Sequence, residues 1–229
     1  MPDTPLNFLS IDRHWFLTWT TYGSWLPGDE RGFVGTERVA PHLRQINNQP
    51  HTQPSKPNTQ LAQFSKRQLK APVILLDVDQ AHDLFEQFQE TVTHRQWLLV
   101  AVGVMRTHLH VVVGVTGDPD PDGILRDFKS YGSRKLNRNY GLPASETWWT
   151  ESGSKRKLTN AASVEAAVNY VRQQPNPLLI WTREQGVVFD ARTMTVEDHN
   201  SNTRDGERGG VSPPVVLEPP PKDDSMRAK

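Results

Sequence analysis

Four residues of this chain have the types and spacing to do chemistry together. His108-Leu109-His110 places two imidazoles at positions i and i+2. In a β-strand such positions share one face, about 6.5 to 7 Å apart, so both rings can converge on a cation while Leu109 and Val111 turn to the other side. Tyr170 and Gln174 lie one helical turn apart in sequence, a spacing that makes them neighbours on a helix surface. Two imidazoles and an amide oxygen are three donors suited to Mg²⁺ or Mn²⁺, with coordination positions left for phosphate oxygens. A phenol is weakly nucleophilic at its reference pKa of about 10, and beside such an ion it would have a polarised phosphorus to attack. The reaction so assembled is phosphodiester transesterification through a phosphotyrosine link. Each pair also has a plainer reading, as hydrogen-bonded sheet histidines or as a boundary tyrosine with a helix-end glutamine. The two pairs taken together favour the chemical one.

Composition narrows the alternatives. The 229 residues contain no cysteine, which excludes disulfides, thiolate nucleophiles and Cys-ligated zinc. The 26 Lys and Arg balance 26 Asp and Glu, which argues against a protein that coats nucleic acid through net charge, though not against a local basic groove. Mean hydropathy is −0.63, and no apolar run reaches the roughly 18 to 20 residues that cross a bilayer. No membrane partner is expected. Met1 to Ser10 lack the basic start and apolar stretch of a secretory signal, so the expected location is the cytoplasm.

The elements that must position the four residues are legible from periodicity. Trp15 to Thr21 is aromatic and β-branched, as a buried strand requires. Asp79 to His94 carries Leu84, Phe85, Phe88 and Val92 at helical spacing. Two valine-rich runs, 96–104 and 108–115, predict neighbouring antiparallel strands. A second helix is expected from Pro121 to about Arg138, burying Ile124, Phe128 and Tyr131. Trp148 to Leu158 reads as a strand or hairpin. A third helix is expected from an N-cap at Ser163, with a Val164, Val168 and Val171 stripe. It must end near Gln174, because Pro175 disfavours helical geometry in the residue before it. The order β, insertion, α, β, β, α, β-hairpin, α fits a ferredoxin-like α+β fold, an antiparallel sheet with helices on one face. One domain over residues 1–190 is expected, with a long insertion at 23–72. Residues 191–229 are polar and Pro-rich, too poor in large apolar groups to repay ordering, and are expected to form a disordered tail.

The stretch Val104-Met105-Arg106-Thr107-His108-Leu109-His110-Val111-Val112-Val113 resembles the His-hydrophobe-His strand of single-tyrosine HUH transposases of the IS200-like superfamily. The closest resemblance is to the REP-associated tyrosine transposases (the RAYT group). Asn169-Tyr170-Val171-Arg172-Gln173-Gln174-Pro175 resembles their nucleophile helix, and Phe16-Leu17-Thr18-Trp19 their first strand. The likeness spans residues 12–22 and 73–185. It implies the HUH endonuclease core, His108, His110 and Gln174 as ligands of Mg²⁺ or Mn²⁺, and Tyr170 as nucleophile. It also implies cleavage and rejoining of single-stranded DNA at hairpins, with the enzyme on the 5′ phosphate and a free 3′ hydroxyl. The setting implied is a bacterial cytoplasm, nucleoid-associated when DNA is bound. Two positions depart from the family pattern: Arg106-Thr107 stands where Pro-Asn is frequent, and Gln174-Pro175 where Asn-Pro is frequent. Monomer and homodimer both remain open, as does placement of the nucleophile in its own subunit or a partner's. A lapsed descendant that binds structured DNA without cutting it would share every motif.

A DNA partner needs cations. Residues 121–160 hold eight Lys and Arg against four acids. Arg126, Lys129, Arg134, Lys135, Lys155, Arg156 and Lys157 are the candidates to track a phosphate backbone. Trp148 and Trp149 are adjacent, so in a strand they face opposite ways, with one in the core and the other, taken as Trp149, available to stack on a base.

Overall fold

The computed structural model describes residues 11–29, 36–40, 43–46 and 57–193. In chain order the elements are β1 (Arg13–Thr20), β2 (Thr36–Ala40), β3 (Leu43–Ile46), α1 (Thr59–Arg67), α2 (Val78–Arg95), β4 (Leu98–Met105) and β5 (His108–Val115). They continue with α3 (Pro121–Tyr140), β6 (Ser154–Leu158), α4 (Ala161–Arg172), β7 (Pro177–Thr182) and β8 (Gly186–Asp190). Six strands form one sheet in the order β6-β1-β5-β4-β7-β8, and β2 pairs with β3 in a separate two-stranded ribbon. Every neighbouring pair is antiparallel. The segment β1-α2-β4-β5-α3-β6 therefore has the ferredoxin-like topology expected from the sequence, and β7 and β8 extend the sheet beyond β4.

The two faces of the sheet are covered differently because each strand alternates. Trp15, Leu17 and Trp19 of β1 and Leu109, Val111, Val113 and Val115 of β5 join α2 and α3 in the main core. Trp19 is packed there against Phe88, Phe128 and Trp149, with ring centroids 5.8, 6.5 and 6.2 Å away. Ala101 of β4, Val112 of β5, Leu158 of β6 and Ile180 of β7 belong to a second, smaller cluster with Ala167 and Val171 of α4. Helices on one face is thus the arrangement of α2 and α3, while α4 packs on the opposite face. The sequence reading has helices on one face only; the valine-rich central strands are buried on both sides, and such a run needs cover on both.

Several boundaries differ from the sequence reading for identifiable reasons. Helix α4 begins at an Asn160 N-cap rather than at Ser163. The Asn160 side chain accepts from the Ser163 N–H at 2.8 Å and Ser163 Oγ accepts from the Asn160 N–H at 3.1 Å, so the serine completes a capping box. The 148–158 stretch is not one strand. Only Ser154–Leu158 is, and Trp149 makes an isolated bridge to Thr21. Strands β7 and β8 were not anticipated. They are pinned to α2 by His82 and Asp190 at 2.9 Å and by Arg192 and Asp79 at 2.6 Å. The insertion after β1 supplies β2, β3 and α1. The expected tail, from residue 194 on, lies outside the described residues.

Candidate active site

The face carrying α4 is where the chemistry-bearing residues meet. His108 and His110 lie on β5 with ring centroids 5.1 Å apart. The Tyr170 ring, from the last turn of α4, stands edge-on to His110 at 5.2 Å within the same chain. Gln174 follows the helix end. Its amide nitrogen donates to the Tyr170 carbonyl at 3.1 Å, and its side chain lies beside the His110 ring, where it favours the protonated form. All four expected residues therefore converge. Gly103 makes the approach close: it is the β4 partner of His110, and a Cβ there would sit 3.1 Å from Val171 Cγ1. Without a side chain at that position, α4 settles onto the sheet and brings Tyr170 level with the imidazoles.

His110 is only 3% exposed. Burial, helped by the neighbouring His108, pulls its pKa down from 6.5 to about 3, with Gln174 opposing. The ring is therefore neutral near pH 7, the form in which imidazole ligates metal. Its Nδ1 is 2.8 Å from the Thr18 hydroxyl, while Nε2 is buried with no hydrogen-bond partner. The His108 Nδ1 lies 3.1 Å from the Thr107 hydroxyl. Among the described residues no group of three His, Cys, Asp or Glu converges to hold a metal, so a divalent ion here would depend on the Gln174 oxygen as a third protein donor. An unpartnered buried imidazole nitrogen next to a second imidazole and an amide is a donor set that fits Mg²⁺ or Mn²⁺.

Two further side chains complete the site. Phe16 stacks on His110 at 5.3 Å and 23°, and meets Tyr170 edge-on at 5.7 Å. Arg156 lays its guanidinium over the Phe16 ring, 5.5 Å from the centroid. The signal that could have found Phe16 and Thr18 is strand alternation: once Trp15, Leu17 and Trp19 are assigned to the core, the even positions must share the face opposite. The same parity singles out Arg156, because it lies two residues from the buried Leu158 on β6.

The remaining basic residues do not form one patch with the site. Lys155 points to the α3 side and pairs with Asp122. Lys157 is opposite Trp15 in the register and shares its face. Lys135 bridges to Glu86 at 3.1 Å and Asp83 at 3.6 Å on α2. Lys129 donates to the carbonyls of Thr150 and Ser152 at 2.7 and 2.9 Å, and burial lowers its pKa from 10.5 to about 8. Arg126 is exposed at a cleft of about 560 Å³ between α3 and residues 147–152, and Arg134 lies over the Tyr131 ring at 5.0 Å. Trp149 corrects the sequence reading: it is 4% exposed and belongs to the core, as does Trp148. Strand alternation fails there because residues 146–152 are irregular, with positive φ at Glu146 and Ser152. Both indoles turn toward α3, donating to Asn137 Oδ1 at 2.8 Å and to the Lys129 carbonyl at 3.0 Å.

Fold and site together define a ferredoxin-like α+β protein whose sheet presents a histidine pair to a helix-borne tyrosine. Residues 69–174 match the model of the family described as Transposase IS200 like, a span that begins before α2 and ends at Gln174. Among solved structures, the chain is similar to a REP-associated tyrosine transposase bound to a REP hairpin, with 13% identity over 75% of this chain and 71% of that one, at a TM-score of 0.37. It is also similar to a presumed transposase from Deinococcus radiodurans R1, with 16% identity over 72% of this chain and 92% of that one, at a TM-score of 0.37. No curated protein matches. No helix among the described residues is long and apolar enough to cross a membrane.

Proposed function

We propose that this chain is a single-tyrosine HUH transposase: a metal-dependent endonuclease and strand transferase that cleaves single-stranded DNA at or near hairpins through a 5′-phosphotyrosine intermediate. The observation that carries the reading is the 5.2 Å approach of the Tyr170 ring to His110 inside one chain. The family match over residues 69–174 supports it.

His108 Nε2, His110 Nε2 and the Gln174 oxygen would hold Mg²⁺ or Mn²⁺. The ion, when bound, polarises the scissile phosphate and neutralises its developing charge. Tyr170 Oη attacks phosphorus while the bond from phosphorus to the 3′ oxygen breaks. The phenol proton passes to solvent, and the departing 3′ oxygen takes a proton to become a free hydroxyl. The 5′ phosphate stays on the tyrosine until another 3′ hydroxyl displaces it, which rejoins the strand. Phe16 and the short α4 limit the motion of the phenol, so the nucleophile is pre-positioned rather than recruited. Arg156, on the same face, is placed to hold a neighbouring phosphate. In this reading one chain supplies both the tyrosine and the histidines, which the 5.2 Å approach of Tyr170 to His110 supports.

Incubation with hairpin oligonucleotides and Mn²⁺, followed by denaturing electrophoresis, tests this directly. Wild-type protein should form a covalent adduct with the fragment that carries the 5′ phosphate end of the nick. Tyr170→Phe should form none while keeping its stability within about 0.5 kcal/mol. An adduct on Tyr170→Phe would overturn the nucleophile assignment. Tight hairpin binding without any wild-type adduct would instead identify a DNA-binding descendant that has lost cleavage.

A further inference from the structure

We propose that Thr18 is a positioning residue that keeps the His110 proton on Nδ1, leaving the Nε2 lone pair directed into the space shared with His108, Gln174 and Tyr170. The inference rests on the metal-site reading above only in what that lone pair is for. Thr18 lies on β1, outside the segment that matches the family. It is the direct cross-strand partner of His110, and its hydroxyl stands 2.8 Å from Nδ1.

A neutral imidazole has one N–H and one lone pair, and the hydroxyl can serve either, so the opposite side of the ring decides. Nε2 is buried and makes no hydrogen bond of good geometry, although Gln174 lies close enough to favour a protonated ring. If it carried the proton, a buried donor would have only the Gln174 oxygen to meet, outside good hydrogen-bond geometry, and a poorly satisfied N–H is the rarer and costlier orphan. With the proton on Nδ1, the Thr18 oxygen accepts it and only a lone pair remains, which is what a cation takes up. The ring has little freedom to escape this choice. Phe16 stacks on one side at 5.3 Å and Tyr170 abuts it at 5.2 Å. An outer hydrogen bond that fixes tautomer and orientation is a general device for making histidine a better ligand, and here a neutral hydroxyl supplies it where a carboxylate or carbonyl is commoner.

The rival arrangement places the proton on Nε2, facing the Gln174 oxygen, with the Thr18 hydroxyl donating to Nδ1. Long-range ¹H–¹⁵N correlation spectra of the metal-free protein separate the two. In wild type, His110 should show a protonated Nδ1 and a bare Nε2. Thr18→Val, nearly the same shape without the hydroxyl, should shift the population toward Nε2–H and weaken Mn²⁺ binding, measured by calorimetry, roughly 10- to 100-fold. Thr18→Ser should restore both. Wild-type protein with the proton on Nε2, or a Thr18→Val protein with unchanged tautomer and affinity, would overturn the proposal. The wild-type spectrum decides the tautomer even if the valine variant does not fold. Wild type with the expected tautomer but no Mn²⁺ binding would sink the metal reading alone and leave the role of Thr18 in place.

Discussion

The two faces of the sheet are built to opposite specifications. Against α2 and α3 the sheet presents tryptophans and large aliphatics, and the residues between are filled by Phe88, Phe128 and Leu136, each fully buried. Against α4 it presents Ala101, Gly103, Val112, Leu158, Ile180, Phe16 and two histidines, with no tryptophan among the described residues, and α4 itself buries only Ala167 and Val171 completely. The first face holds the strands in register. The second is covered by one short helix, and that leaves imidazoles, a phenol and an amide within reach of one another beside Phe16. The main core and the candidate site thereby lie on different sides of the same strands, with alternate residues of β1 and β5 serving each.

This division can be broken from either side. The largest effect should come from the core face: Trp19→Ala, which empties the contact with Phe88, Phe128 and Trp149, is expected to cost about 3 to 5 kcal/mol in urea unfolding. Sheet register would loosen with it, so adduct formation should fall only as far as the folded population falls. A stability loss under 1 kcal/mol would show that the aromatic layer is not what holds the sheet.

A smaller but more selective effect is expected at Gly103, where the added Cβ of Gly103→Val meets Val171 Cγ1 at 3.1 Å. Overpacking of this kind costs about 1 to 3 kcal/mol. Because the clash lifts α4 beside Tyr170, the rate of adduct formation should drop well beyond what lost folded protein accounts for. Equal losses in rate and folded fraction would mean that the approach of α4 does not set the position of Tyr170.

The mildest test uses Lys129 on the far side. Its pKa is lowered from 10.5 to about 8, chiefly by burial. Between those values the unfolded chain binds a proton that the folded chain has released, so Lys129 makes stability rise with pH across that window. Below about 8 both states are protonated and the burial cost is fully felt. The urea midpoint should therefore climb from pH 8 toward pH 10 in wild type, and Lys129→Met should lose that increment. An unchanged slope in the variant would remove Lys129 as its source.

Much of this arrangement was legible in the residues themselves. The i, i+2 histidines, the tyrosine and glutamine one turn apart, and the apolar periodicities of α2, α3, β4 and β5 are local patterns, set by how side chains project from a strand or a helix. The misreadings occur where local pattern stops being decisive. Trp149 was assigned to DNA because adjacent residues of a strand diverge, but its backbone is irregular and both indoles found partners on α3. The basic run 155–157 looked like one patch, yet alternation along β6 sends Lys155 to Asp122 and leaves Arg156 over Phe16.

What the sequence determined by itself was the inventory of groups and the element that carries each one, because rotamer direction and hydrogen-bonding period are properties of a few consecutive residues. The tertiary structure alone decided that α4 crosses to the face opposite α2 and α3, that β1 lends Thr18 and Phe16 to a site nearly a hundred residues away, and that Tyr170 meets the imidazoles of its own chain. These are matters of which surfaces are left uncovered after the large aromatic core has formed, and no window of neighbouring residues contains that information.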